Sequence, residues 1–337
     1  MTASGTAYRT LIDESLSPLI PEGAPIALFD FPTHSNVGDS AIWLGEVSFL
    51  KNHRKSKIIL CDSQTSSDNF PELPPETIIF IHGGGNFGDL WPHHHLFRLK
   101  IVNSYVGHRI VQFPQSIYFE HEASFEQTRK ALSLHPDFHL FTRDEKSFSF
   151  AKKLYAGHCA LCPDMAMYLK RLQRPPTKIR WEILALMRTD KEKQTAINAV
   201  SADGVKIVDW IHEPRFLLKT TNRIIQRYAR SLPIDQNLVY RYNHKIFNAL
   251  ATHRLNRGCE LISSGSVVIT DRLHAHILCV MMNIPHVVLD NSYQKIGLFR
   301  DAWRTGAGIC ESASSFEDAL ILARRMIAAS ATPRPPE

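Results

Sequence analysis

Cysteine is sparse in this chain. Its six cysteines, at positions 61, 159, 162, 259, 279 and 310, lack the spacing of a disulfide framework. Cys159 and Cys162 have CxxC spacing, but no second pair or neighbouring histidine joins them, so two small apolar residues near a strand is the simpler reading than a redox or zinc pair. Long apolar runs are missing too. The longest, residues 275–289, is broken by His276, Asn283, Pro285 and His286, which argues against a membrane-spanning helix. The N-terminal stretch has neither the basic segment nor the apolar core of a secretion signal, so a cytoplasmic setting is expected. Clusters of Lys and Arg interleaved with aromatics are absent, which argues against nucleic acid as a partner. The adjacent histidines 93–95 cannot all face one metal from a helix, and no HxxxH or HxH spacing with a carboxylate accompanies them. They are expected on the surface or at a cleft edge, with no metal.

What is present describes an α/β enzyme of more than one domain. At 337 residues the chain exceeds the usual size of a single core. Its 44% hydrophobic and 21% charged residues are ordinary for a globular protein, and the net charge of +6 suits an acidic partner. Short apolar runs alternate with helical patterns: strands are expected at 25–31, 57–61, 77–81, 109–113 and 138–142, with helices at 7–18, 41–50 and 143–151 among them. Gln173–Thr177, with two prolines, is the best linker. Beyond it strands are expected at 181–187, 205–210, 267–270 and 286–289, and helices at 216–232, 240–257 and 315–329. This gives an N-terminal α/β domain over 1–174 and a C-terminal one over 179–330, each a parallel, doubly wound sheet, with no internal sequence repeat. The two basic helices carry Arg215, Lys219, Arg223, Arg227, Arg230, Arg241, Lys245, Arg254 and Arg257. Peripheral contact with an anionic membrane is one reading of them and a solvated face the other.

Four loops at expected strand ends carry candidate chemistry, because ligands of such sheets bind at the carboxyl edge. In Thr270-Asp271-Arg272-Leu273-His274 a strand turns into a helix, with Thr270 and Asp271 as N-cap candidates and an arginine and a histidine added to the anion-attracting first turn. An ordinary capped turn is the alternative. Lys295, beyond the strand ending near Asp290, is expected to face the same place. In His82-Gly-Gly-Gly-Asn-Phe-Gly88 the literal GxGxxG match lacks the acidic residue about twenty positions on that a dinucleotide site requires. Gly84 and Gly85 are read instead as admitting a ligand close to the backbone, with Asn86 adding an amide. Asn36-Val-Gly-Asp39 offers Asp39 either as a helix cap or as a base and binder of sugar hydroxyls. In Thr142-Arg143-Asp144-Glu145 a capping box of Thr142 with Glu145 leaves Arg143 at the first helical position to hold an anion. Trp43, Phe87 and Trp91 are candidates for stacking on sugar rings, or core.

Taken together, the stretches at 36–42, 81–92, 142–147, 162–165, 186–192 and 270–276 resemble the polysaccharide pyruvyl transferase family, in consistent order from about residue 25 to 303. The resemblance implies two Rossmann-like domains facing a cleft, GT-B-like, and transfer of a pyruvyl group from phosphoenolpyruvate to sugar hydroxyls of an exopolysaccharide or its lipid-linked precursor, as a pyruvate ketal. It associates Arg143, Arg272, Leu273 and His274 with donor binding and catalysis, and less directly Arg188 and Lys295. The residue chemistry agrees. Phosphoenolpyruvate carries about three negative charges, which several arginines and a helix terminus suit. His274 is the expected proton carrier and Asp39 its expected partner on the acceptor side, with Asn36 nearby. No cofactor is expected beyond phosphoenolpyruvate as donor substrate. A nucleotide-sugar glycosyltransferase of the GT-B type and a non-catalytic glycan-binding protein are the alternatives.

Overall fold

Apolar runs rich in β-branched residues become strands, and all of their pairings are parallel. The computed structural model describes residues 5–63, 70–170, 172–190, 204–213, 236–290 and 294–331. By internal contacts the chain divides into two units. One comprises Thr6–Leu169 with Glu213–His253, and the other Lys170–His212 with Arg254–Glu337 and the N-terminal tip. The chain thus returns to the first unit after visiting the second, a grouping that the linear ranges 1–174 and 179–330 do not contain.

The first unit holds seven described strands: β1 (Pro25–Phe29), β2 (Lys57–Cys61), β3 (Ile78–Ile81), β4 (Gly84–Gly88), β5 (Ile110–Tyr118), β6 (Phe138–Thr142) and β7 (His158–Leu161). They run in the order β2-β1-β3-β5-β6-β7, with β4 added beside β5. The helices are α1 (Gly5–Leu16), α2 (Val37–Arg54), α3 (Pro92–Ser104), α4 (Glu122–Ser133) and α5 (Glu145–Leu154). Ala27, Phe29, Ile79, Ile81 and Leu140 pack one face of the sheet against Ile101, Val102 and Leu132. Each such Leu, Ile or Phe, fully buried, contributes about 1.5–3 kcal/mol.

The second unit holds β8 (Trp181–Leu186), β9 (Val205–Val208), β10 (Gly265–Thr270), β11 (His286–Leu289) and β12 (Cys310–Ala313), in the order β12-β11-β10-β8-β9. Its core joins Ile183, Ala185, Val267, Ile269 and Val287 to Phe316, Ala319 and Ala323 of the last helix. The remaining helices are α6 (Gln236–Ser263), α7 (Leu273–Met282), α8 (Lys295–Trp303) and α9 (Phe316–Ala331). Residues of α6 up to His253 group with the first unit and those from Arg254 with the second.

Both sheets share a strand order that the sequence did not reveal. In each, the second strand lies on one side of the first and the third on the other, so the chain reverses direction between the first and third strands. That reversal opens a crevice at the carboxyl edge, where ligands of doubly wound sheets bind. It lies between β1 and β3 in the first unit and between β8 and β10 in the second.

Several expected boundaries move. β1 stops at Phe29, not 31, because Asp30 turns to φ 70°. α2 begins at Val37, not 41, because the Asn36 side chain accepts a hydrogen bond from Gly38 N at 3.1 Å. Pro114–Ser116 continue β5 rather than forming a loop, paired with β4 and β6. β4, β7 and β12 were not expected. The helix expected at 216–232 lies outside the described residues.

Candidate active site

In the first unit, three imidazole–carboxylate pairs gather around the β1/β3 crevice. Asp30, directly after β1, is wholly buried. Its two oxygens accept from Nδ1 of His94 at 3.0 and 3.2 Å. Burial opposes ionisation of Asp30, but His94 beside it, with Arg98 and His82, holds the carboxyl below its usual range. His82, directly after β3, donates from Nδ1 to Glu46 at 2.8 Å, and the other Glu46 oxygen accepts from Gly83 N at 2.8 Å. Burial disfavours a charged imidazole there, yet Glu46 outweighs it and raises the His82 pKa. At the start of α2, Asn36 donates to Asp39 at 2.8 Å and His34 Nε2 lies 3.5 Å from the same carboxylate. The His34 and His94 rings meet edge to face at 5.9 Å, which links two of the pairs. A carboxylate behind an imidazole fixes its tautomer and orientation, which is what a general base requires.

Within the glycine run, Gly88 serves the packing of the sheet. A Cβ at Gly88, which has φ 112°, would lie 1.7 Å from the carbonyl oxygen of Tyr118. The close approach is therefore of β5 to β4, not of a ligand at that glycine. The Asn86 amide oxygen accepts from Arg98 at 2.7 Å and from Gln115 at 2.9 Å, so it braces the buried Arg98 rather than standing open. Gly84 lies beside the crevice, its Cβ position 3.5 Å from Asp39 Oδ1. No separate partner places Gly85.

Arg143 follows β6 but is not the first residue of a helix. The cap of α5 is Asp144, which accepts from Ser147 N at 2.8 Å, so the expected Thr142–Glu145 capping box is not formed. Thr142 ends the strand instead. The Arg143 guanidinium is buried, donating to Asp164 at 2.6 Å and to Ser116 at 2.9 Å. The histidine run opens α3 with Pro92 at its first turn. Its three rings diverge: His94 goes to Asp30, His93 is exposed, and His95 is buried against Thr128 at 2.7 Å with its pKa pushed down to about 3 by burial. A surface or edge position therefore fails for His95. Trp43 and Phe87 are core residues, Trp43 packed on Phe31 at 4.9 Å and bonded to Asn248 at 2.9 Å; Trp91 stays half-exposed.

In the second unit, cations gather around the β8/β10 crevice. Arg188, just beyond β8, makes a two-pronged pair with Asp190 at 2.9 and 3.0 Å. Arg272, just beyond β10, is buried and donates to Asp209 at 2.7 Å and Asp190 at 3.5 Å, its guanidinium 5.8 Å from the Trp210 ring. Arg272 itself is the N-cap of α7 and provides no side-chain cap. The expected caps act elsewhere. Asp271 accepts from Arg188 N at 2.8 Å, and Thr270 donates to the carbonyl of Leu186 at 2.7 Å. Burial pushes the Asp271 carboxyl up to about 6. Leu273 and His274 thus form the first turn of a helix whose N-cap, Arg272, makes no side-chain cap hydrogen bond, at the carboxyl end of β10. Lys295 opens α8 beyond β11, with Asp290 accepting from Ile296 N and Gly297 N at 3.1 and 2.9 Å. Asn291–Tyr293 lie outside the described residues.

The structure therefore brings together Asn36, Asp39 and Gly84 in one unit, and Arg188, Arg272, Leu273 and His274 in the other; Arg143 belongs to the first unit and Lys295 to the second. Sequence reasoning missed Asp30, His34, Glu46, His82, His94, Asp190 and Asp209. Asp30 and His82 carried a signal, each being the first polar residue after an apolar strand. Glu46 sat within a helical pattern and carried none.

A family model described as polysaccharide pyruvyl transferase matches residues 36–293. The chain is 32% identical over 303 residues to EpsO of Bacillus subtilis (strain 168), named as a candidate pyruvyl transferase, covering 86% of this chain and 89% of EpsO. It is 30% identical over 313 residues to pyruvyl transferase 1 of Schizosaccharomyces pombe, covering 88% and 75%. A crystal structure of a functionally uncharacterised protein from Klebsiella pneumoniae superposes with a TM-score of 0.60 at 17% identity, covering 94% of this chain and all of that one, a likeness of fold.

Proposed function

The chain belongs to the polysaccharide pyruvyl transferase family, and from that membership we propose that it takes its pyruvyl group from phosphoenolpyruvate. The acceptor is a pair of hydroxyls on one sugar of an exopolysaccharide or its lipid-linked repeat unit, and the products are a cyclic pyruvate ketal and inorganic phosphate. The observation that carries this reading is the convergence of Arg188 and Arg272 on Asp190, with Arg272 itself at the N-terminus of α7. That group suits a small ligand bearing both carboxylate and phosphate. The two guanidinium groups donate to Asp190 and Asp209, so a donor anion competes with those carboxylates for the same hydrogen bonds. Lys295 and, in the first unit, Arg143 are assigned to substrate charge, the latter sharing its guanidinium with Asp164.

In this scheme His274 delivers a proton to C3 of the enol while a sugar hydroxyl attacks C2. The second hydroxyl then attacks the same carbon, the C2–O bond to phosphate breaks and phosphate leaves. Asp39, held in place by Asn36 and with His34 Nε2 3.5 Å away, receives the proton of the first hydroxyl, and the proton of the second leaves with the phosphate. No cofactor enters the scheme. A lipid-linked acceptor implies work at the cytoplasmic face of the membrane, with exposed basic residues in peripheral contact; Arg254, expected among them, is buried, and 214–235 lie outside the described residues.

The test is phosphate release, with the matching mass gain on the acceptor, from purified protein given phosphoenolpyruvate and a panel of lipid-linked oligosaccharides. Arg272→Ala and His274→Ala are each expected to lower turnover by about 10²-fold or more. Full activity in either variant overturns the site assignment, and sugar transfer from a nucleotide sugar instead of phosphate release overturns the donor.

A further inference from the structure

Two histidines and a cysteine that the reaction does not use meet in the second unit. His276 lies on α7, His286 opens β11 and Cys310 opens β12. Their Nδ1, Nε2 and Sγ atoms all lie within 4.8 Å of one another. Both histidines are wholly buried and Cys310 is half-buried. We propose that these three side chains form a zinc site. The inference stands on this cluster alone and does not depend on the donor or acceptor assigned above.

The hydrogen bonds already present fix how each ring would serve. His286 Nδ1 donates to the carbonyl of Ile284 at 2.8 Å, which leaves Nε2 as a lone pair facing His276 Nδ1 at 2.8 Å. His276 Nε2 lies 2.7 Å from the Thr305 hydroxyl, and Cys310 Sγ lies 3.7 Å from His276 Nδ1. Metal-bound imidazoles characteristically tie their other nitrogen to a carbonyl or hydroxyl in this way. Two imidazoles and a thiolate are a donor set that zinc prefers.

The geometry requires a small adjustment. Zn–N bonds of about 2.0–2.1 Å and a Zn–S bond of about 2.3 Å at tetrahedral angles need N···N of about 3.3 Å and N···S of about 3.6 Å. The sulfur is already near its required distance from His276 Nδ1, and the two nitrogens must part by about 0.5 Å. Proton accounting is simple. The proton on His276 Nδ1 moves to Nε2, where it is donated to Thr305, and the Cys310 thiol proton goes to solvent, so one proton leaves for each ion bound. A bound ion would tie α7, which bears Arg272 and His274, to two strands of the sheet.

The full-length protein is loaded with zinc, desalted and assayed for metal, and the metal-free protein is titrated with cobalt(II). About one ion per chain is expected, with near-ultraviolet thiolate-to-cobalt absorption and proton release on binding. Cys310→Ser is expected to lose that absorption and roughly tenfold or more in affinity, whereas Cys61→Ser, in the other unit, keeps both. Wild-type protein that retains no metal overturns the proposal and leaves a metal-free hydrogen-bond chain from Thr305 to Ile284. An absorption that survives in Cys310→Ser overturns it by pointing to another cysteine. The wild-type measurement decides even if the variant fails to fold.

Discussion

At the scale of single residues, the Glu46–His82 pair is the clearest case of a contact that holds the site together. Both side chains are essentially excluded from water, and Glu46 bridges the His82 ring and the backbone of Gly83. Removing one partner of a buried pair leaves an uncompensated charge, so Glu46→Gln is expected to destabilise the protein by about 3 kcal/mol in thermal or denaturant unfolding. The sign of its pH dependence follows from the direction of the His82 shift. Burial works against the charged ring but Glu46 prevails, so the folded pKa exceeds the unfolded one, about 6.5. The stabilisation is complete below the unfolded value and fades as pH rises through the folded value. Glu46→Gln should flatten that slope, and an unchanged pH profile would remove the pair from the account. The sequence could not show this pairing, because 36 positions separate the partners. Arg272 and His274 were legible because a strand, a turn and a helix start are contiguous in the chain.

At the scale of elements, helical periodicity found α2 but not the reason for its fit. Gly45 lies within it, and a Cβ there would sit 1.9 Å from the backbone oxygen of Met165, which opens a buried 3-10 turn at Met165–Tyr168. Helix propensity alone favours Gly45→Ala by about 1 kcal/mol. The clash is with backbone that cannot swing aside, and overpacking of this kind costs about 1–3 kcal/mol or more. The clash should win: Gly45→Ala is expected to lower the melting temperature, and a raised one would show that the turn can yield. The same lesson covers the caps. Thr142 and Asp271 had the right chemistry to cap helices, but Thr142 is drawn into a strand ladder and Asp271 accepts from Arg188 N. A local motif states what a residue can bond, and packing decides which partner reaches it first.

At the scale of the molecule, the net charge of +6 is what the proposed contact with an anionic surface draws on. Among the described residues no helix is long and apolar enough to cross a membrane. Sedimentation with vesicles rich in anionic lipid is expected, weakening as salt rises, because each Lys or Arg near such a surface contributes about 1 kcal/mol that ions screen. Equal binding to neutral vesicles would remove the electrostatic contact. By itself the sequence determined the alternation of strands and helices, the family, and the placement of candidate residues just beyond strand ends. All of these are written in short-range periodicity and contiguous motifs. Only the tertiary structure decided the strand order shared by the two sheets, the return of 213–253 to the first unit, the acid–imidazole pairs around Asp30 and His82, and the meeting of His276, His286 and Cys310. Those depend on which strand edges pair and which faces are buried together, and such choices are settled by contacts between residues far apart in the chain.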